Sequence, residues 1–276
     1  MSKKNMNMEK KNMANLSLTI KNELGDILAA SEGSGYVNLV YRKEYSKGDT
    51  IVFGTDEINR FYVVQFDDAM GENYVYITKN EFEFKVPFDD RKTAYSPKAF
   101  YGKMHLLSVR LATEEEIGAY KNLSYNIYDE HGDTGCYPHA TANVETRNEP
   151  SFFARSVIDG VRENTDHGIW PYCSWGIDRR DDAEIELHFG RRIRTNKMVL
   201  VIRADFPHDS WWDEARLSFS DGTEMTVKLE KTKDPQVVTF DWKEIDSVKL
   251  DRLIKNAEDP SPFPALSQWE VYGFEV

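Results

Sequence analysis

The sequence predicts an all-β chain built as two β-sandwich domains, and three observations carry that prediction. Short segments alternate polar and apolar side chains, and glycine-bearing turn signals separate them. Neither a βαβ rhythm nor a phosphate-cradling glycine loop interrupts the pattern.

In the first half, alternation predicts strands at 16–23, 36–45, 50–54, 61–66, 73–78, 81–86 and 104–111. The turn signals are Ser31-Glu-Gly-Ser-Gly35, Ser46-Lys-Gly-Asp49 and Ala69-Met-Gly-Glu72, where glycine supplies the positive φ that hairpins need. An antiparallel sandwich follows. One helix start stands out at Thr113-Glu-Glu-Glu116, a capping box whose helix is expected to end near Lys121-Asn122. From Tyr125 to Pro150, Gly, Pro, Asn and Asp recur without period, as in a linker. The predicted division is therefore a disordered tail over 1–15, an N-terminal sandwich over 16–145 and a second sandwich over 146–276.

In the second half, strands are predicted at 183–189, 197–203, 215–219, 224–229, 237–240, 247–253 and 269–276, a count that suits a jelly roll. Between them lie two loops, 164–182 and 204–213, that hold most of the Trp and His of this half.

Composition excludes several classes of function. Among the 276 residues, 35 Lys and Arg face 47 Asp and Glu, a net charge of −12, so nucleic acid and anionic membranes are repelled at long range. No apolar run approaches the ~18 residues of a membrane-spanning helix, and the Met-, Lys- and Asn-rich start lacks a signal-peptide core, so a cytoplasmic location is expected. Cys136 and Cys173 are too few for a disulfide framework and too far apart for a CxxC site. The six Trp, fourteen Tyr and fifteen Phe serve sheet packing or recognition of flat ligand faces.

From Phe153 onward the order of features resembles the galactose-binding-like (discoidin, or coagulation-factor C-type) family of β-sandwich modules. The resemblance runs through Ala154-Arg-Ser-Val-Ile-Asp-Gly160, a Trp-bearing loop, Ile185-Glu-Leu-His-Phe-Gly190, Ser218-Phe-Ser-Asp-Gly222 and Gln268-Trp-Glu-Val-Tyr-Gly273. It implies a jelly roll over 150–276, a carbohydrate ligand held at the loops, and a structural calcium with Asp159 and Glu270 among its carboxylate ligands. Phe61 to Asp67 and Val86-Pro-Phe88 resemble, more weakly, β-sandwich companion domains of carbohydrate-active proteins.

The two loops have the chemistry a sugar needs. A pyranose packs its C–H face on an aromatic ring and offers hydroxyls to charged and imidazole groups at its edge. Trp170, Trp175 and Trp211 are the expected stacking platforms, with His167, Arg179, Arg180, Asp205 and His208 as polar contacts. Arginines at 147, 155, 162, 179, 180, 191, 192, 194 and 203 extend the expectation to an acidic sugar. Against this stands a structural alternative, in which Trp170, Trp175, Trp211 and Trp212 plug the sandwich and the charges pair among themselves. His139, His167 and His208 with Asp166, Asp205 and Asp209 also offer metal or acid–base chemistry. Two further readings are a sugar hydrolase or lyase with its site at the domain junction, lined by His139 and His167, and an assembly protein using the same loops. No nucleophile elbow is present, and catalysis is not the expectation.

Overall fold

The computed structural model describes residues 13–205 and 208–276. The tail expected over 1–15 therefore lies outside the described residues up to position 12, and Asn15 already opens the first strand. The chain divides into two compact units: one holds residues up to 88, with 98–113 and 134–136, and the other holds 89–97, 114–133 and 137–276. Stretches 89–97 and 114–133, which precede the boundary placed near 145, belong to the later unit. No helix among the described residues is long and apolar enough to cross a membrane.

The first unit is built from β1 (Asn15–Lys21), β2 (Ile27–Ser34), β3 (Tyr36–Tyr41), β4 (Thr50–Thr55), β5 (Arg60–Gln65), β6 (Asn73–Ile77), β7 (Glu81–Lys85) and β8 (His105–Leu111). They form one sheet in the order β2-β1-β4-β7 and a second in which β6-β5-β8-β3 are consecutive. Period-two patterning turns Leu16, Leu18 and Ile20 inward from β1, and the Glu-Phe-Glu-Phe-Lys of β7 buries Phe82 and Phe84. Across the layers Phe53 meets Tyr62 at 5.1 Å and Phe66 meets Phe82 at 5.5 Å. Residues 31–34, expected as a turn, are strand, and the chain reverses at Gly35, whose φ is 73°. Tertiary pairing with β1 outweighed the weak local signal.

In the second unit the expected helix shrinks to α1 (Glu114–Gly118), a single turn with no buried residue to anchor it. The strands continue with β9 (Lys121–Asn122), β10 (Cys136–Tyr137, whose Cys136 belongs to the first unit), β11 (His139–Ala142), β12 (Trp175–Gly176), β13 (Ile185–Ile202), β14 (Trp212–Phe219), β15 (Glu224–Lys228), β16 (Gln236–Lys255) and β17 (Ala265–Glu275). The sheet order is β12-β17-β13-β16-β14-β15, with β11 on β13 and β9 on β17.

Two pairs of predicted strands are therefore one strand each. β13 pairs with β11 through His188 and with β17 from Ile193, and its register shifts at His188/Ile193 and Thr195/Lys197 let one strand serve both neighbours. Gly190 sits in that first shift with φ 66°, and a Cβ there would lie 2.5 Å from the Tyr137 ring, so only glycine fits. The core gathers Trp175, Trp212 and Trp269 with Leu187, Phe189, Leu200, Leu217, Val248 and Leu250, all essentially solvent-free. Burying three indoles here contributes several kcal/mol.

Candidate functional site

The loops at one end of β13 enclose a cleft of about 220 Å³. Its walls come from four segments: Thr146, Arg147 and Phe152; His167 with Gly176, Ile177 and Asp178; Arg203 and His208; and Pro262 to Ala265. Local sequence explains each. Asp178 and Arg179 both take left-handed φ, 48° and 63°, which turns the chain as Arg180 N–H donates to Ile177 O. The Asp178 amide donates to Thr146 Oγ1 at 3.1 Å, tying that turn to the 146–152 segment. Phe263 stands in Pro262-Phe-Pro264, where prolines fix an extended loop, and keeps 40% of its surface open.

Arg203 organises the floor. Its Nε donates to Asp209 Oδ1 at 2.6 Å, Nη2 contacts the same oxygen, and Nη2 also reaches Phe263 O at 3.3 Å. Burial pushes the guanidinium down to about 10, against the pull of Asp205 and Asp166, so it stays charged at neutral pH. Asp209, fully buried, accepts a further bond from the Asp205 amide at 3.2 Å. Asp205 Oδ2 meets His167 Nδ1, and the His167 ring stands edge-on to His208 at 5.8 Å. Arg179 lies over the Phe263 ring at 4.9 Å.

Of the expected ligand residues, His167 and His208 line this cleft, Asp205 stands behind His167, and Arg179 lies over the Phe263 ring. Trp175 does not: it is fully buried, donates Nε1–H to Val144 O at 2.8 Å and lies 6.5 Å from Trp212, so it is core and not a stacking platform. Trp170 and Trp211 are half-buried and line no part of the cleft. Arg180 is exposed and paired with Asp182 at 2.6 Å. The aromatic walls are Phe152 and Phe263, which the sequence reading passed over; the proline-bracketed Phe263 was the available signal.

Most of the arginines are spent on carboxylates, as in Arg147 with Glu149 and Arg191 with Glu275. The calcium expectation meets the same obstacle. Arg162 donates to both oxygens of Glu270 at 2.5 Å and Tyr272 Oη adds a third bond, while burial pushes the Asp159 carboxyl up to about 7 despite Arg155 and the Val161 amide. A Glu270 carboxylate with both oxygens already taken by Arg162 does not fit a calcium shared with Asp159.

Two other features are present. At the other end of β13 a cavity of about 630 Å³ is lined by Tyr137, His139, Thr141, His188, Arg191 and Asp246, among others. Elsewhere Tyr120, Trp242, Tyr272 and Phe274 form an exposed ring cluster with Arg194 4.8 Å over Trp242 and Lys197 4.0 Å over Tyr272.

No protein-family model matches this chain, and no curated protein matches it. Among solved structures it is similar to chitosan-binding module 1 of a chitosanase/glucanase from Paenibacillus sp. IK-5, with 20% identity over 55% of this chain and 99% of that one, TM-score 0.39. It is also similar to the family 32 carbohydrate-binding module of C. perfringens NanJ in complex with galactose, with 18% identity over 48% and 91%, TM-score 0.37. A third is the lectin domain of lectinolysin complexed with Lewis B antigen, with 15% identity over 56% and 97%, TM-score 0.42. These neighbours are carbohydrate-binding modules, and each covers about half of this chain.

Proposed function

We propose that the second unit binds a carbohydrate in the cleft between Phe263 and His167. The observation that carries this reading is one small cleft that combines a part-exposed aromatic ring, itself carrying Arg179, and flanking prolines with two imidazoles and the Arg147 and Arg203 guanidiniums. An apolar wall facing polar edges suits a sugar ring, and about 220 Å³ is room for one residue of a glycan, not a long chain. Arg147, exposed at the rim and paired with the exposed Glu149, is the guanidinium for which a charged sugar group would compete. Asp178 is the one carboxylate among the residues lining the cleft, so the opposed acid pair that hydrolysis needs is not assembled there, and the reading is of binding without catalysis.

Calorimetric titration of the full chain with neutral and acidic mono- and oligosaccharides tests it. The expected result is saturable binding that Phe263→Ala weakens by about tenfold or more, as removal of an aromatic anchor does, and that Arg180→Ala and Trp170→Phe leave unchanged. Silence across the panel, or full binding by Phe263→Ala, overturns the proposal.

A further inference from the structure

Beside the cleft, two loops bring Asp166, His167 and Asp205 together. One ligand atom from each lies within 4.8 Å of the others. Asp166 Oδ1 is 3.7 Å from His167 Nδ1, which itself meets Asp205 Oδ2. Asp166 and His167 are exposed, whereas the Asp205 side chain is only 5% exposed.

The Asp205 carboxylate is where the local accounting fails to close. Its Oδ1 is buried and accepts no hydrogen bond among the described residues. Arg203 Nε stands 3.7 Å away, but that nitrogen and Nη2 both donate to Asp209. Two buried carboxylates thus share one guanidinium, and Asp166 adds a third negative charge at the rim. With a neutral imidazole the group carries about two uncompensated negative charges, an arrangement that is costly in a partly desolvated site.

We propose that Asp166, His167 and Asp205 form a binding site for a single divalent transition cation of the zinc or manganese kind. A divalent ion supplies the missing charge and gives the orphan oxygen a partner. The imidazole nitrogen selects its class: it is a borderline donor beside two hard carboxylates, a set that suits zinc or manganese, while calcium and magnesium prefer oxygen alone. Three protein ligands leave a coordination position for water or a ligand group, as in open zinc sites. His167 also lines the cleft, so that open position adjoins it. The inference does not rest on the saccharide reading, because ion uptake is measured without any sugar.

The test is calorimetric titration of the chelator-stripped full chain with zinc, manganese and calcium chlorides. The expected outcome is uptake of one equivalent of zinc or manganese, tighter than calcium. His167→Ala, Asp166→Asn and Asp205→Asn are each expected to weaken it by about tenfold or more. His167 and Asp166 are exposed, so these two variants carry the test if Asp205→Asn fails to fold. No uptake, or uptake that the His167 and Asp166 variants leave unchanged, overturns the site. Sugar binding that persists in metal-free protein leaves the carbohydrate reading standing whatever the ions do.

Discussion

His139 is held by Asp129: Nδ1 lies 2.7 Å from Oδ1 of a carboxylate with no solvent exposure, and the second oxygen of that carboxylate accepts the Ala140 amide. Burial by itself lowers the imidazole pKa, yet the hydrogen bond and charge of Asp129 outweigh it and raise the pKa above 6.5. Because the folded pKa is the higher one, the stabilisation is fully present below 6.5 and is lost as pH rises through the folded value. Asp129→Asn is expected to cost about 1–3 kcal/mol near pH 6 and less near pH 8.5. Urea unfolding at the two pH values checks it; equal costs at both would refute the charged pair.

Asp159 has the opposite consequence for the fold. Its carboxyl, raised from 3.8 to about 7 by burial, favours the protonated folded state, so stability falls as pH rises from 3.8 to about 7. Asn at this position stays neutral and keeps the oxygen that accepts the Val161 amide at 2.8 Å. Asp159→Asn should match the wild type near pH 4 and exceed it near pH 8 by on the order of 4 kcal/mol. A pH-independent difference between the two proteins in denaturant melts would count against this.

Trp175 and Phe263 should separate stability from binding. Trp175→Ala empties a sealed position and is expected to cost about 3–5 kcal/mol, whereas Phe263→Ala, at an open loop, should cost less than about 1 kcal/mol. Chemical denaturation of both variants tests the contrast, and similar losses would mean that Phe263 is packed like core.

Removing Asp209 leaves Arg203 charged and buried. Asp209→Ala is expected to destabilise the chain by about 1–3 kcal/mol, because Arg203 loses its hydrogen-bonded carboxylate while Asp205, 3.7 Å from Nε, remains as its counter-charge. A thermal melt within about 1 °C of wild type would show that the pair is not buried as described, since even 1 kcal/mol moves the midpoint further than that.

Neither cysteine is in a disulfide and both are buried, and burial, with the Asp159 charge adding to it, pushes the Cys173 thiol up to about 12. A thiol with so little thiolate reacts slowly. An aromatic disulfide reagent should label neither cysteine in native protein within minutes and both in denaturant; fast native labelling would contradict the buried positions.

Much of the architecture was legible because period-two alternation survives in strands with one buried face, as in Leu16, Leu18 and Ile20 or Phe82 and Phe84. The loops at 164–182 and 204–213 were legible too, since they interrupt that period with Pro, Gly and Asp. What escaped was continuity: the breaks in alternation at 190–196 and 241–246 separated predicted strands, yet β13 and β16 pass through them. Register shifts between paired strands leave the same local trace as a turn.

By itself the sequence determined that the chain is β-rich, that its cysteines form no framework and that polar and aromatic side chains crowd the loops at 164–182 and 204–213, for these depend on local spacing and composition. Tertiary structure alone decided which rings are sealed and which are open, placing Trp175 in the core and Phe263 at the rim. It also decided that His167 meets Asp205, 38 positions further along. Burial and convergence are set by which strand lies over which, a relation between distant segments that no window of residues encodes.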